Sequence, residues 1–218
     1  MAALQQAWEG QPDLTLPAFI GVLQNRGLSW GSSEDELLEL LRTMSEERPA
    51  LLTAPLNQAV AVTTAGPRLS VTLTPEVVVV RNAADPQRMP GVWRYASFRP
   101  MSPARPLVVT DTEGVEHRLG VVEQVNVVKQ SSDSQLAGLT PGDIGARRWL
   151  LMFADGRRAL LGQRLRLWET AGRETHVRTL GWSELITCAA GEDMEIAPLG
   201  GGEPLELGLV ETVLLLEA

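Results

Sequence analysis

The sequence predicts a mainly β chain of the α+β kind, a hairpin-built antiparallel β barrel or sandwich preceded by an N-terminal two-helix hairpin. Three observations carry this. Apolar residues recur with helical spacing only within the first 50 residues; beyond residue 55 the period falls to two; and glycine turn pairs separate the apolar runs of the C-terminal half.

Taken in order, Thr15 is placed to cap a helix over residues 16–26, where Leu16, Phe19, Ile20, Val22 and Leu23 recur with helical spacing and Gly27 ends the run. Ser33 and Glu36 form the S-x-x-E pattern of a reciprocal cap. That cap opens a second helix with the stripe Leu37, Leu40, Leu41 and Met44, and Leu38 beside it, stopping near Glu47 before Pro49. Residues 27–32 join the two helices, with Trp30 expected to plug the space between them. Alternation then gives strands at 60–64, 69–73 and 77–80, with a turn at Gly66-Pro67. Residues 89–106, broken by prolines, read as a long loop holding at most one short strand. Strands resume at 107–109, 117–121 and 124–128, and a polar loop follows over 130–143.

Three hairpins close the chain, turning at Asp155-Gly156, Ala171-Gly172 and Gly200-Gly201-Gly202, before a last strand at 211–216. The interval 180–190 suits helix or strand equally. The expected division is a helical segment, 1–54, and a β-rich domain, 55–218, with 55–130 and 144–218 as candidate subdomains.

Composition narrows the function classes. The 218 residues carry a net charge of −8, 44% hydrophobic and 21% charged residues, which fits a packed core and gives no general attraction to polyanions. The longest apolar runs are strand-sized, too short to span a membrane. The first ten residues carry Gln5, Gln6 and Glu9 and no basic residue, so no secretory leader is expected. Cys188 is the single cysteine, which rules out an internal disulfide and fits a reducing, cytoplasmic compartment.

No coherent catalytic constellation emerges. Gly27-Leu28-Ser29-Trp30-Gly31 matches the nucleophile-elbow pattern, with Asp111 and His117 or His176 following in hydrolase order, but an elbow needs a strand before the serine and here a helix precedes it. Cys188, His117 and His176 lack the close pairing of a zinc site, and Glu192, Asp193 and Glu195 lack the ligand spacing of a calcium loop. Gly200-Gly201-Gly202 runs into Glu203-Pro204, not into a phosphate-binding helix. No catalytic residue, metal or cofactor is therefore assigned.

Recognition is better served. Trp93, Arg94, Tyr95, Phe98, Arg99 and Arg105 gather the residue types of binding hot spots in one segment, and residues 100–105 have the form P-x-x-P-x-R of a polyproline ligand. The first 50 residues set three arginines against eight carboxylates, a net −5. That repels phosphates where a winged-helix reader would need to neutralise them, so nucleic acid is not the expected partner. Arg118-Leu119-Gly120-Val121 followed by Ser134-Gln135-Leu136-Ala137-Gly138-Leu139-Thr140-Pro141-Gly142-Asp143-Ile144 resembles the carboxylate-binding loop and A-G-L-x-P-G-D turn of PDZ domains. The resemblance implies capture of a peptide C-terminus by amides near Leu119 to Val121. It covers about 27 residues and departs after Asp143, because Asp155-Gly156 arrives late.

The expected function is a non-catalytic intracellular interaction protein that docks a protein partner through the Arg/aromatic segment or the acidic helical hairpin. The alternative is a small-molecule-binding β domain, or an enzyme with its site in the mouth of the β structure, with His117, His176 and Arg164 as first polar candidates. Further alternatives are the winged-helix-like regulator and the PDZ-like peptide binder. Oligomeric state is not readable from the chain.

Overall fold

A computed structural model describes residues 2–129, 136–172 and 174–217. Ser134 and Gln135 of the PDZ-like stretch, and most of the polar loop before them, lie outside the described residues. The chain divides into two compact units, Met1–Ala84 with Gly91–Val127, and Asp85–Pro90 with Val128–Ala218.

The first unit opens with three helices rather than two: α1 (Ala2–Glu9), α2 (Leu16–Asn25) and α3 (Glu34–Glu47). The helix α1 escapes pattern reading because its apolar stripe, Ala3, Leu4, Ala7 and Trp8, is only two turns long and half alanine. Thr15 caps α2, and Ser33 with Glu36 forms the reciprocal cap of α3. Ala7, Phe19, Leu23, Leu41 and Met44 make the small shared core. Trp8 fixes the α1–α2 connection by donating Nε1–H to the Leu14 carbonyl at 2.7 Å.

A closed antiparallel barrel follows: β1 (Val60–Ala65), β2 (Leu69–Leu73), β3 (Val77–Asn82), β4 (Gly91–Phe98), β5 (Pro106–Asp111) and β6 (Glu116–Val127). Closure comes from β1 against β6, from Val60 opposite Val127 to Ala65 opposite Val121. The stretch expected as a long loop with room for one short strand holds an eight-residue strand: β4 occupies the span between Pro90 and Pro100, which bracket it and do not interrupt it. The two strands expected at 117–121 and 124–128 are one, β6. Inward-facing Val62, Val71, Leu73, Val78, Leu107, Val109 and Val125 fill the barrel, as a small barrel's interior must be filled. Leu119 to Val121, the PDZ-like stretch, lies in β6 between β5 and β1, not on an open edge. Gly120 is required there, since at φ +93° its backbone runs so close that a Cβ would fall 2.7 Å from the Ala65 carbonyl oxygen.

The second unit is a seven-stranded curled antiparallel sheet. Its strands are β7 (Arg148–Phe153), β8 (Arg158–Leu161), β9 (Leu165–Ala171), β10 (Glu174–Leu180), β11 (Trp182–Thr187), β12 (Asp193–Pro198) and β13 (Leu205–Glu217), in the order β10-β9-β8-β7-β13-β12-β11. The ambiguous interval at 180–190 holds a strand, β11, and no helix. All three expected hairpins form. The separate final strand does not: β13 runs unbroken for 13 residues, pairing first with β12 and then with β7. It changes partner near Gly208, whose φ of +101° permits the bend. Thr140 and Asp143 cap a single helical turn, α4 (Pro141–Ile144). Trp149, Leu151, Leu165, Leu167, Trp182 and Ile196 are among the fully buried core residues. Residues 85–90 are held against β8 and β9 through their carbonyls: Trp168 Nε1 donates to Gln87 at 2.6 Å, Arg166 Nη1 to Pro86 at 2.8 Å, and Arg158 to Pro90.

Candidate functional site

The Arg/aromatic segment is split by the strand it forms. Trp93 and Tyr95 pack against the barrel core and Phe98 is buried in it. The Tyr95 hydroxyl donates to the Thr74 carbonyl at 2.6 Å, and burial raises its pKa. Arg94 is exposed, with its guanidinium 3.9 Å from Glu76, and Arg99 pairs with Glu116 at 2.6 Å. Arg105 lines a separate cleft. The aromatics thus serve the core while the arginines meet solvent and carboxylates, so the six residues do not share one face.

Beside Trp93 lies the one close pairing of chemistry-bearing groups that the sequence had named. His117 Nε2 and Asp111 Oδ2 are 2.7 Å apart, and the imidazole sits 5.2 Å from the Trp93 ring, tilted by 45°. Asp111 Oδ1 accepts the amide protons of Glu113 and Val115, each at 2.9 Å. The His117 bond, then these amides, hold the Asp111 carboxyl below its ordinary pKa. Asp111 orients an imidazole here, but Ser29 bonds to Ser32 and to neither member of the pair. His176 and Arg164 belong to the second unit, where His176 lies 3.8 Å from Glu174. Among the described residues no group of three or more His, Cys, Asp or Glu side chains could hold a metal ion. Cys188 is buried, and burial, with Glu192 adding to it, pushes its thiol pKa up to about 12.

Residues 100–105 do not project as a free polyproline ligand. Met101 exchanges both backbone hydrogen bonds with Leu52, at 2.9 and 3.0 Å, and is buried. Ala104, at φ +64°, donates its amide to Val122, and Arg105 accepts from Val122, both at 2.8 Å. So pinned, the segment walls a cleft of about 540 Å³ lined by Trp8, Pro12, Leu14, Leu51, Pro103 and Arg105, among others.

The helical hairpin presents the other surface. The α2 helix ends in a complete Schellman motif, with Gly27 at φ +108°, its amide donating to Gln24 and the Leu28 amide to Leu23, both at 3.0 Å. The Ser29 amide donates to Ser32 Oγ at 3.0 Å and the Ser32 amide returns to the Ser29 carbonyl at 3.1 Å. Trp30 sits at the tip of this braced turn, 105% exposed relative to a free residue. The expected plug between the helices is thus overturned: the helices meet through Phe19, Leu23, Leu41 and Met44, and Trp30 takes no part in that core.

Below the tip, Arg26, Leu28, Ser32, Asp35, Glu36 and Leu40 line part of a groove of about 550 Å³. Arg42 neutralises Glu39 and Glu46, each at 2.6 Å, and Arg26 pairs with Glu47 at 2.7 Å. Glu34 and Asp35 have no ion pair among the described residues. The positive end of the α3 dipole accounts for carboxylates in its first turn. Nothing within the described residues accounts for Trp30. Comparison with models of known protein families, with curated proteins and with solved structures finds no match for this chain.

Proposed function

We propose that this chain is a non-catalytic, cytoplasmic docking protein whose helical hairpin seats Trp30 in an apolar pocket of a protein partner, the pocket being rimmed by basic side chains. The observation that carries this reading is a fully exposed tryptophan on a turn held by a Schellman motif and paired serines. A braced turn loses little entropy on binding, and a tryptophan buries on the order of 200 Å², which makes it a frequent hot-spot anchor. Glu34 and Asp35 beside it favour a basic rim. The lone buried thiol supports the compartment.

The test is affinity capture from host extract on the purified protein and on its Trp30→Ala and Glu34→Lys/Asp35→Lys variants. The reading expects one polypeptide retained in stoichiometric amount by the natural chain and lost from both variants at an unchanged melting temperature. Equal retention by Trp30→Ala would overturn it.

A second reading, small-molecule binding, is favoured by the apolar cleft beside Arg105 rather than by the barrel mouth, since the barrel interior is packed with side chains. A concentration-dependent rise in melting temperature with an apolar anion, lost in Arg105→Ala, would support it.

A further inference from the structure

The two edges of the seven-stranded sheet are treated differently. The outer edge of β11 is covered by the chain itself: the Gly138 amide donates to the Leu185 carbonyl at 2.7 Å, the Leu185 amide to Leu139 at 3.0 Å, and the Leu136 amide to Cys188 at 3.0 Å. The outer edge of β10 receives no backbone hydrogen bond from any described residue other than those of β9. Glu174, Thr175, His176, Arg178 and Thr179 are exposed, and Val177 is half-buried. An uncovered strand of seven residues is a template for another strand.

Proteins that only guard such an edge place like charges along it, so that a second copy is repelled. The charges of β10 do the reverse. Glu174 and Arg178 stand symmetrically about His176, so an antiparallel copy centred on His176 sets each Glu174 opposite the other chain's Arg178. Thr175 then faces Val177, a β-branched pair suited to a sheet. Centring on Val177 would instead set His176 against Arg178, and centring on Arg178 would oppose the two arginines. Within one chain Arg178 lies 3.4 Å from Glu169 and Glu174 lies 3.8 Å from His176, both exposed enough to turn toward a copy.

We propose that β10 is a self-association edge, joining two copies in an antiparallel, two-fold pairing about His176. The interface is isologous, so the same five residues act on both sides and the assembly closes at two.

The mass in solution of the purified chain, followed by sedimentation from micromolar to about 100 µM, tests this. The proposal expects a reversible shift from one chain to two. Arg178→Glu, which places carboxylates opposite each other twice, should raise the dissociation constant about ten-fold or more, and Glu174→Arg with Arg178→Glu should restore it. His176→Cys should cross-link to itself under mild oxidation, because opposed residues of an antiparallel pair lie within disulfide reach. The buried Cys188 does not compete for this bond. Thr179→Cys should not cross-link. A single-chain mass throughout, or a dimer indifferent to Arg178→Glu, would overturn the proposal.

Discussion

Gly10 backs onto the carbonyl of Arg48 so closely that a Cβ on Gly10 would fall 2.0 Å from that oxygen. The contact joins the end of α1 to the residue that ends α3, and the Arg48 guanidinium returns to the same corner, donating from Nη1 to Gln11 Oε1 at 3.3 Å. Because the obstructing atom is backbone, no side chain can move aside. Gly10→Ala should therefore destabilise the first unit by on the order of 2 kcal/mol, through forced displacement of α1. Urea denaturation checks this, and an unchanged midpoint would mean that α1 does not pack as described.

The indole of Trp168 is buried, and its Nε1–H ends on the Gln87 carbonyl at 2.6 Å. Trp168→Phe keeps most of the apolar contact but leaves that carbonyl without its donor. The expected loss is about 1–2 kcal/mol. Proteolysis should also become faster within residues 85–90, which Arg166 and Arg158 still hold through Pro86 and Pro90. Equal cleavage rates would show that the indole bond does not hold the segment.

How much of this was legible depends on whether the signal is local. Capping pairs such as Ser33 with Glu36, and turn pairs such as Asp155-Gly156, act within a few residues and were legible for that reason. The span of β4 was not, because Pro90 and Pro100 look the same whether they bracket a strand or break one. Nor was the continuity of β13, since a bend at Gly208 resembles a turn until both partner strands are known. The error at Trp30 is of another kind. Large aromatics are usually buried, and no pattern in residues 27–32 distinguishes a plug from an exposed anchor. For the same reason the exposed indole could not be found from the sequence, whereas the carboxylates below it could.

Trp30→Ala separates fold from docking. The side chain is fully exposed, so stability should change by no more than about 0.5 kcal/mol. Tryptophan fluorescence should lose a component with the emission of a solvated indole. Addition of an authentic partner should shift that component to the blue in the natural chain alone. A melting temperature lowered by several degrees would show that Trp30 has a structural role.

The Cys188 thiol should be inert in the folded protein. Its pKa, pushed up to about 12 chiefly by burial, leaves almost no thiolate at pH 8. Iodoacetamide should label it at a rate set by opening of the second unit, and slowly in the native state. Denaturant that opens that unit should bring the rate to that of a free cysteine. Rapid native labelling would place Cys188 at the surface and contradict its packing among Leu185, Met194 and Ile196.

The Asp111–His117 pair sets an acid dependence whose sign follows from the carboxyl. Bonding to His117, and then to the Val115 and Glu113 amides, lowers the Asp111 pKa in the folded chain. A depressed folded pKa contributes stability that is fully present above the unfolded value of about 3.9 and is lost as pH falls through the folded value. Asp111→Asn removes the titrating group but keeps an oxygen that can accept from the two amides. The stability difference between the natural chain and Asp111→Asn should therefore be constant from about pH 5 upward, as far as this carboxyl is concerned, and shrink steadily below pH 4. Chemical denaturation at pH 3, 4, 5 and 6 measures it. A difference that stays level across that range would mean that the pair does not hold the carboxylate charged in the folded state, and His117 would then owe its position to Trp93 alone.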